Sequence, residues 1–585
     1  MMFFRKPVFM VSLFTVIFLT GLAQAVNMEV GPYVQFTGPY SAVVRWDTEV
    51  NRNSIVEYGI SEGSLDQRVE SGTSTTTHEI ALNNLQWRTK YYCRVGYDNG
   101  GEVFTDVFRF DNRLNYTRKD VSAISSPYPV DSLTPLYEEA ADRIIAQTGI
   151  TKGYCLVYGC RDGRLAFELA RRSDMMVLGV DADANKISFA REKLLAADVY
   201  GTRVTVHHAA DMNNLTFSKN FFNLIVSDHA ISDGQCVGSA EEMFRVLRPD
   251  GGVAYIGQPD SCPSELTASE LTTWLNIYFS PGDYTLTDDT NGVWAKVIRD
   301  PLPGSGNWPR QFGQPDNAAN SNDDLGGATL RGDLQTQWLG WPGADFGADR
   351  NPRMPPPIMV HGRLFHQGLN RIAALDSYNG ALYWSLEIPN VMRVNTPREC
   401  GYVTADDDHL FIAVDDDCWQ LDGNTGLRVF THKLNDPGKE WGYVARSGSL
   451  LYGSAQFDDA HYTQIWGIIP GWYDNRTDPA VTAKICSKYL FANNAATGTR
   501  VWTYDSADAD KGVIINSTIT MGNGRLYFVE SRDPDVESYS SGRIGIADLW
   551  DSQYLVARNT DTGAAIWAQP INTADGVPVF YLAYR

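Results

Sequence analysis

A multidomain fold is predicted for this chain: an all-β sandwich at the front, a doubly wound α/β sheet in the middle and a propeller-type β region built from repeats at the back. Three observations predict it. Short strands of strict alternation run from Val30 to about Phe110, helical and strand periodicities alternate from Leu133 to about Gly257, and a glycine–aromatic word recurs four times after residue 370. At 585 residues the chain also exceeds what one hydrophobic core serves, roughly 250–300 residues, so several domains are required.

Composition narrows the class. With 43% hydrophobic and 20% charged residues the chain is globular, which excludes a disordered chain, a collagen or a coiled coil. Its 49 Lys and Arg stand against 70 Asp and Glu, a net charge of −21. That balance argues against a nucleic-acid partner, because a phosphate backbone is held by clustered cations.

Residues 1–25 have the three parts of a secretory signal peptide. Arg5 and Lys6 precede an apolar run from Pro7 to Leu22, and Ala23-Gln24-Ala25 closes it. The run is short for a bilayer span of ~20 residues, and no later stretch is apolar enough to be one. An exported protein, periplasmic or extracellular, is expected. The eight cysteines are Cys93, Cys155, Cys160, Cys236, Cys262, Cys400, Cys418 and Cys486. They form no C-x-x-C, so scattered buried thiols are expected, with Cys400 and Cys418 the nearby pair to test for a bridge. Cys/His spacing for zinc is absent, and no metal is expected.

The front segment, 27–112, reads as an antiparallel sandwich of the words SAVVRW, SIVEYG, THEIAL, YYCRVGY and DVFRF. GPYVQFTGPYSAVVRW with LNNLQWRTKYYCRVGY resembles the fibronectin type III-like domain at the front of purple acid phosphatases. The two-metal phosphoesterase that follows it there needs a G-N-H-E-like element, which this chain lacks. A spacer or adhesion role is what the resemblance leaves.

Segment 131–260 alternates strands and helices. LYEEAADRIIAQTG, RLAFELARR, NKISFAREKLLAA and AEEMFRVLRPDGG have helical spacing; CLVYG, MVLGV, VTVHHA, NLIVS and GVAYIG are strand-like. Such βα units build a parallel sheet whose ligand sits beyond the C-terminal strand ends. The segment resembles class I S-adenosylmethionine (SAM)-dependent methyltransferases. The resemblance implies a glycine loop at Gly159-Cys160-Arg161-Asp162-Gly163, a ribose-holding acid at Asp181 and an adenine contact at Asp211. It also implies an acceptor near Ser227-Asp228-His229, where His229 would take a proton from the nucleophile. Two positions depart from the family pattern. Val157 replaces an acid, and Arg161 replaces the middle glycine, crowding the place where backbone should approach the cofactor. Two readings follow: methyl transfer from SAM to an acceptor the sequence does not name, or a non-catalytic scaffold that keeps the fold. Export favours the second, since SAM is a cytoplasmic metabolite.

Residues 300–357, rich in Pro, Gly and Asn, read as a lead-in, with QTQWLGWPG expected to supply a first strand. In 358–585 the word recurs with its glycine at Gly380, Gly426, Gly498 and Gly563, and an aromatic four residues later at Trp384, Phe430, Trp502 and Trp567. The glycine takes the positive φ of a tight turn between strands, and the aromatic is expected to reach a neighbouring blade. The word is similar to the repeat of pyrroloquinoline quinone (PQQ)-type propellers, a family with both quinoprotein dehydrogenases and cofactor-free scaffolds. The quinone itself is not expected: there are no adjacent cysteines and too few repeats for the eight-bladed ring. PQQ-dependent oxidation is the distant alternative, and a protein partner or ligand on the propeller the nearer one. The acidic runs 406–408 and 415–417 could hold Ca²⁺, but solvated loop ends explain them more simply. Asp508-Ala509-Asp510 lacks a downstream bidentate Glu and is assigned no metal.

Overall fold

The computed structural model describes residues 28–343, 346, 356–368, 370–389, 391, 402–457, 486–505, 512–533, 552–572 and 581–585. The leader segment 1–25, Cys400 and the run 508–510 lie outside the described residues. No disulfide joins any two of the seven described cysteines. No helix among the described residues is long and apolar enough to cross a membrane.

The front domain consists of the antiparallel strands Met28–Gly38, Ser41–Gly59, Gln67–Leu82, Lys90–Asp98, Glu102–Phe104 and Phe108–Asp111. Alternation places Ala42, Val44, Trp46 and Thr48 inward along one strand, as the pleat requires. Trp46 stacks on the buried His78 ring at 4.8 Å, and Thr48 and Ser54 each hold a ring nitrogen of His78 at 2.8 Å. One feature is non-local. Met28–Gly38 also pairs with Leu382–Glu387, through Val34 opposite Glu387, so the front domain and the first repeat share one sheet.

The middle domain is a seven-stranded sheet. In chain order its strands are Tyr154–Tyr158, Met176–Asp181, Val204–His208, Leu224–Val226, Gly252–Gln258, Thr285–Asp289 and Gly292–Arg299. Across the sheet they run third, second, first, fourth, fifth, seventh, sixth, the first five parallel and the last pair antiparallel. Both faces are covered: Cys155 and Val157 point into one core and Leu156 and Tyr158 into the other. Strand order reverses between the first and fourth strands, and such a switch point opens a crevice at the C-terminal strand ends. The sheet runs past the expected boundary at residue 260. The helix Ala268–Leu275 and an edge hairpin turning at Thr290-Asn291 complete it at Arg299.

The C-terminal region is sheet-rich. It contains four antiparallel meanders whose last two strands are Arg371–Asp376 with Leu382–Glu387, Asp417–Asp422 with Arg428–Lys433, Cys486–Asn494 with Arg500–Asp505, and Gln553–Asn559 with Ala565–Pro570. The recurring word is the turn between those two strands. Its Asp or Asn caps the turn: Asp422 Oδ1 accepts from the Asn424 and Thr425 N–H groups, and Asn559 Oδ1 from those of Asp561 and Thr562. The aromatic of one repeat lies on the glycine turn of the next. A Cβ on Gly426 would stand 2.6 Å from Trp384, one on Gly498 2.8 Å from Phe430 and one on Gly563 2.7 Å from Trp502. The Trp384 indole N–H donates to Gly423 O at 3.0 Å, and that of Trp502 to Thr560 O at 2.7 Å. The segment QTQWLGWPG forms no strand. It instead sends Trp338 onto Gly380, 2.6 Å from a Cβ there, with its indole N–H on Ser377 O at 2.8 Å.

A buried polar knot fastens the middle domain to the first repeat. Asp376, fully buried, receives Arg248 at 2.6 Å, Asn223 Nδ2 at 2.7 Å and Tyr383 OH at 2.7 Å on one carboxylate oxygen. Residues 300–343 are irregular but not a free linker, for Arg310, Gln311 and Asn317 are buried.

Candidate functional site

The switch point holds a cavity of ≈ 580 Å³, walled by Gly159, Asp181, Asp183, Lys186, Met212 and His229. Backbone geometry explains the loop. Gly159 sits at φ +77°, Arg161 at +47° and Gly163 at +85°, so the loop makes the left-handed turns a glycine-rich motif supplies, with Arg161 strained into one of them. Gly159 and Cys160 donate their N–H groups to Val180 O at 2.9 and 2.8 Å, which pins the loop to the second strand. Gly163 then caps the helix Arg164–Arg171.

Asp181 ends the second strand on the cavity wall and is 3% exposed. Its Oδ1 accepts from the Asp183 N–H at 2.9 Å; its Oδ2 accepts from the Arg161 N–H at 2.8 Å and meets His229 Nε2 at 3.1 Å. Burial opposes its charge, but these donors outweigh burial and hold it down at about 2. His229 turns its other nitrogen, Nδ1, to Asp233 Oδ2 at 2.9 Å. Satisfying both carboxylates at once takes a proton on each ring nitrogen. The Arg161 guanidinium reaches the same helix, bonding Ser232 Oγ and Asp233.

The sequence-predicted residues therefore divide. Gly159, Asp181 and His229 meet in one cavity. Cys160 turns away: it is fully buried, with Sγ 2.6 Å from where a Cβ on Gly179 would lie, and burial pushes its thiol well up. Asp211 is exposed and caps its own turn, accepting from the Asn213 N–H at 2.9 Å, while its neighbour Met212 lines the cavity. His229, expected at an acceptor, has both ring nitrogens engaged by carboxylates, those of Asp181 on the cavity wall and Asp233 on its own helix. Sequence reasoning missed Met212, Lys186 and Asp233; the i, i+4 spacing of His229 and Asp233 on one helix was the available signal for the last.

A second carboxyl lies just behind the loop. Asp228 is wholly buried, takes Tyr137 OH on Oδ1 at 2.8 Å and leaves Oδ2 without a partner. Burial, then the charge of Asp162, pushes it up to about 7.

Two family models match the chain. That of methyltransferase domains covers residues 156–251, and that of the purple acid phosphatase N-terminal domain covers residues 30–112. The middle domain is methyltransferase-like and the front domain of the fibronectin-like phosphatase type. No curated protein matches the chain. Among solved structures, a candidate S-adenosyl-L-methionine-dependent methyltransferase from Methanococcus maripaludis is 22% identical over 29% of this chain and 87% of its own, with a TM-score of 0.26. A SAM-dependent methyltransferase from Aquifex aeolicus is 16% identical over 27% of this chain and 89% of its own, with a TM-score of 0.22. A candidate sarcosine dimethylglycine methyltransferase from Galdieria sulphuraria is 20% identical over 21% of this chain and 46% of its own, with a TM-score of 0.19.

SAM, the cofactor such a domain implies, is met by a site that fits it in part. At the ribose end there is space, with Asp181 on the wall and Met212 as an apolar face. At the glycine loop there is not: a Cβ on Gly159 would lie 2.6 Å from Val237 Cγ2 and 2.7 Å from His229 Cδ2, so the chain's own side chains fill the close approach the glycine offers. The donors that would have to yield to a ribose hydroxyl on Asp181 are also the chain's own.

Proposed function

We propose that the protein is a non-catalytic, multidomain binding protein whose methyltransferase-like domain keeps a ligand cavity at its ribose end and has given up methyl transfer. The position of His229 carries this reading. It spans Asp181 and Asp233 and lies over Gly159, which leaves it no free nitrogen for an acceptor and leaves the loop no room for an amino-acid tail. Arg161, held by Ser232 and Asp233, adds a cation where a sulfonium would have to sit. Meanders stacked through docked aromatics support reading residues 358–585 as a propeller-type platform for a protein partner. The leader-like residues 1–25 support export to the periplasm or beyond, where SAM is not supplied.

Methyl transfer from SAM is the second reading, favoured by the ≈ 580 Å³ cavity and by Asp181 on its wall. Thermal unfolding of the full chain with millimolar adenosine, S-adenosylhomocysteine or SAM separates the two. On the binding reading adenosine raises the midpoint and the amino-acid tail adds nothing. A SAM shift well beyond that of adenosine, lost in Asp181→Ala, would establish the second reading instead.

A further inference from the structure

The junction between the front domain and the second repeat holds another cavity, of ≈ 630 Å³, remote from the switch point. Asp415, Asp416 and Asp417 line it from the repeat, and Glu29, Glu62 and Asp106 from the front domain. Arg109 is the one cation among its described lining residues. Lys433, opposite Asp417 in the ladder, leans to Glu29 at 3.7 Å.

Asp417 sets this cavity apart from an ordinary acidic surface. It is 8% exposed, it lines the cavity, and among the described residues its carboxylate has no hydrogen-bond or ion-pair partner. A buried carboxylate without a partner is costly to keep, and a cation arriving in the cavity would relieve it. Burial and the carboxylates of Asp416, Asp415 and Glu29 push Asp417 up to about 7, against the pull of Lys433.

We infer that this junction binds an aliphatic polyamine, with ammonium groups on Asp417 and on the facing carboxylates and the methylene stem along Val30 and Trp419. The distribution of charge selects that class. Calcium, the divalent ion that acidic loops most often hold, needs about six or more oxygens converging at about 2.3–2.6 Å. Among the described residues no group of three or more His, Cys, Asp or Glu converges in that way. The acids come from two domains, three from the repeat and three from the front domain, which suits charges spaced along a chain. Trp419, 2% exposed, and Val30, 5% exposed, give the stem an apolar face, and an indole ring also attracts an ammonium group.

The test is calorimetric titration of spermidine into the full chain at low ionic strength, with calcium chloride titrated separately. Saturable binding is expected, weakened at least tenfold in Asp417→Asn and at least threefold in Asp106→Asn on the front domain, and unchanged in Glu192→Gln on an exposed helix face of the middle domain. Calcium alone should give no saturable heat. Asp417→Asn removes an unpaired buried charge, so its unfolding temperature should not fall, which separates lost binding from lost fold. Equal spermidine affinity in the wild type and both cavity variants would overturn the inference, reducing the effect to general attraction by an acidic protein. Saturable calcium binding that depends on Asp417 would overturn it in favour of a metal.

Discussion

Adding one methyl group at Gly159 probes whether the chain covers its own glycine loop. Gly159 holds φ +77°, which costs an L-residue ~1–2 kcal/mol. The new Cβ would stand 2.6 Å from Val237 Cγ2 and 2.7 Å from His229 Cδ2, and overpacking of that kind costs a further ~1–3 kcal/mol. Gly159→Ala should therefore destabilise the domain by about 2–5 kcal/mol. In a His229→Ala, Val237→Ala background the contact is gone and only the backbone cost, ~1–2 kcal/mol, remains. Hydrogen exchange by mass spectrometry of the peptide spanning Tyr154–Tyr158 reads the opening free energy in the full chain, so the cycle needs no isolated domain. The same cost in both backgrounds would refute the reasoning, because nothing would then lie over the glycine.

Three further outcomes follow from the same geometry. Asp228 stands at 3.8 unfolded and about 7 folded, so between those values the native state keeps a proton the unfolded chain has released. Stability should fall as pH rises from about 4 to about 7, by at most roughly 4 kcal/mol. Asp228→Asn should flatten that part of the pH profile of urea unfolding, and an unchanged slope would contradict the assignment. In the repeats, Gly426→Ala drives a Cβ to 2.6 Å from Trp384, whereas Gly448, at φ +56°, has open space beside it. Both pay the backbone cost, and Gly426→Ala should cost ~1–3 kcal/mol more in denaturant unfolding. At the knot between domains, Asp376→Ala leaves Arg248 buried without its counter-charge and should cost ~3–5 kcal/mol, while Arg248→Met with Asp376→Leu should recover most of it.

Local pattern carried much of this structure. Alternation marks SAVVRW as a sandwich strand, and the βα order puts a crevice beyond the C-terminal strand ends. The recurring glycine and aromatic anticipated ring docking between repeats, since a glycine with positive φ leaves a flat place for an indole. What stayed hidden depends on pairings far apart in the chain. Nothing local announces that Val34 pairs with Glu387, or that Trp338, in a segment without strand pattern, belongs on Gly380. The edge hairpin turns at Thr290-Asn291, and the Asn291-Gly292 pair beside that turn is a usable local signal for it. Side-chain direction was the other limit. Cys160 faces Gly179 because that strand leaves a hole, and His229 faces Asp181 because a short helix turns it inward; neither direction follows from a motif.

The most direct test of the account is calorimetric titration of SAM into the full chain beside His229→Ala. SAM should bind the wild type no more tightly than adenosine does, and should gain affinity over adenosine only when the imidazole over Gly159 is removed. SAM binding to the wild type well beyond that of adenosine, abolished by Asp181→Ala, would contradict this and make the domain a working SAM site.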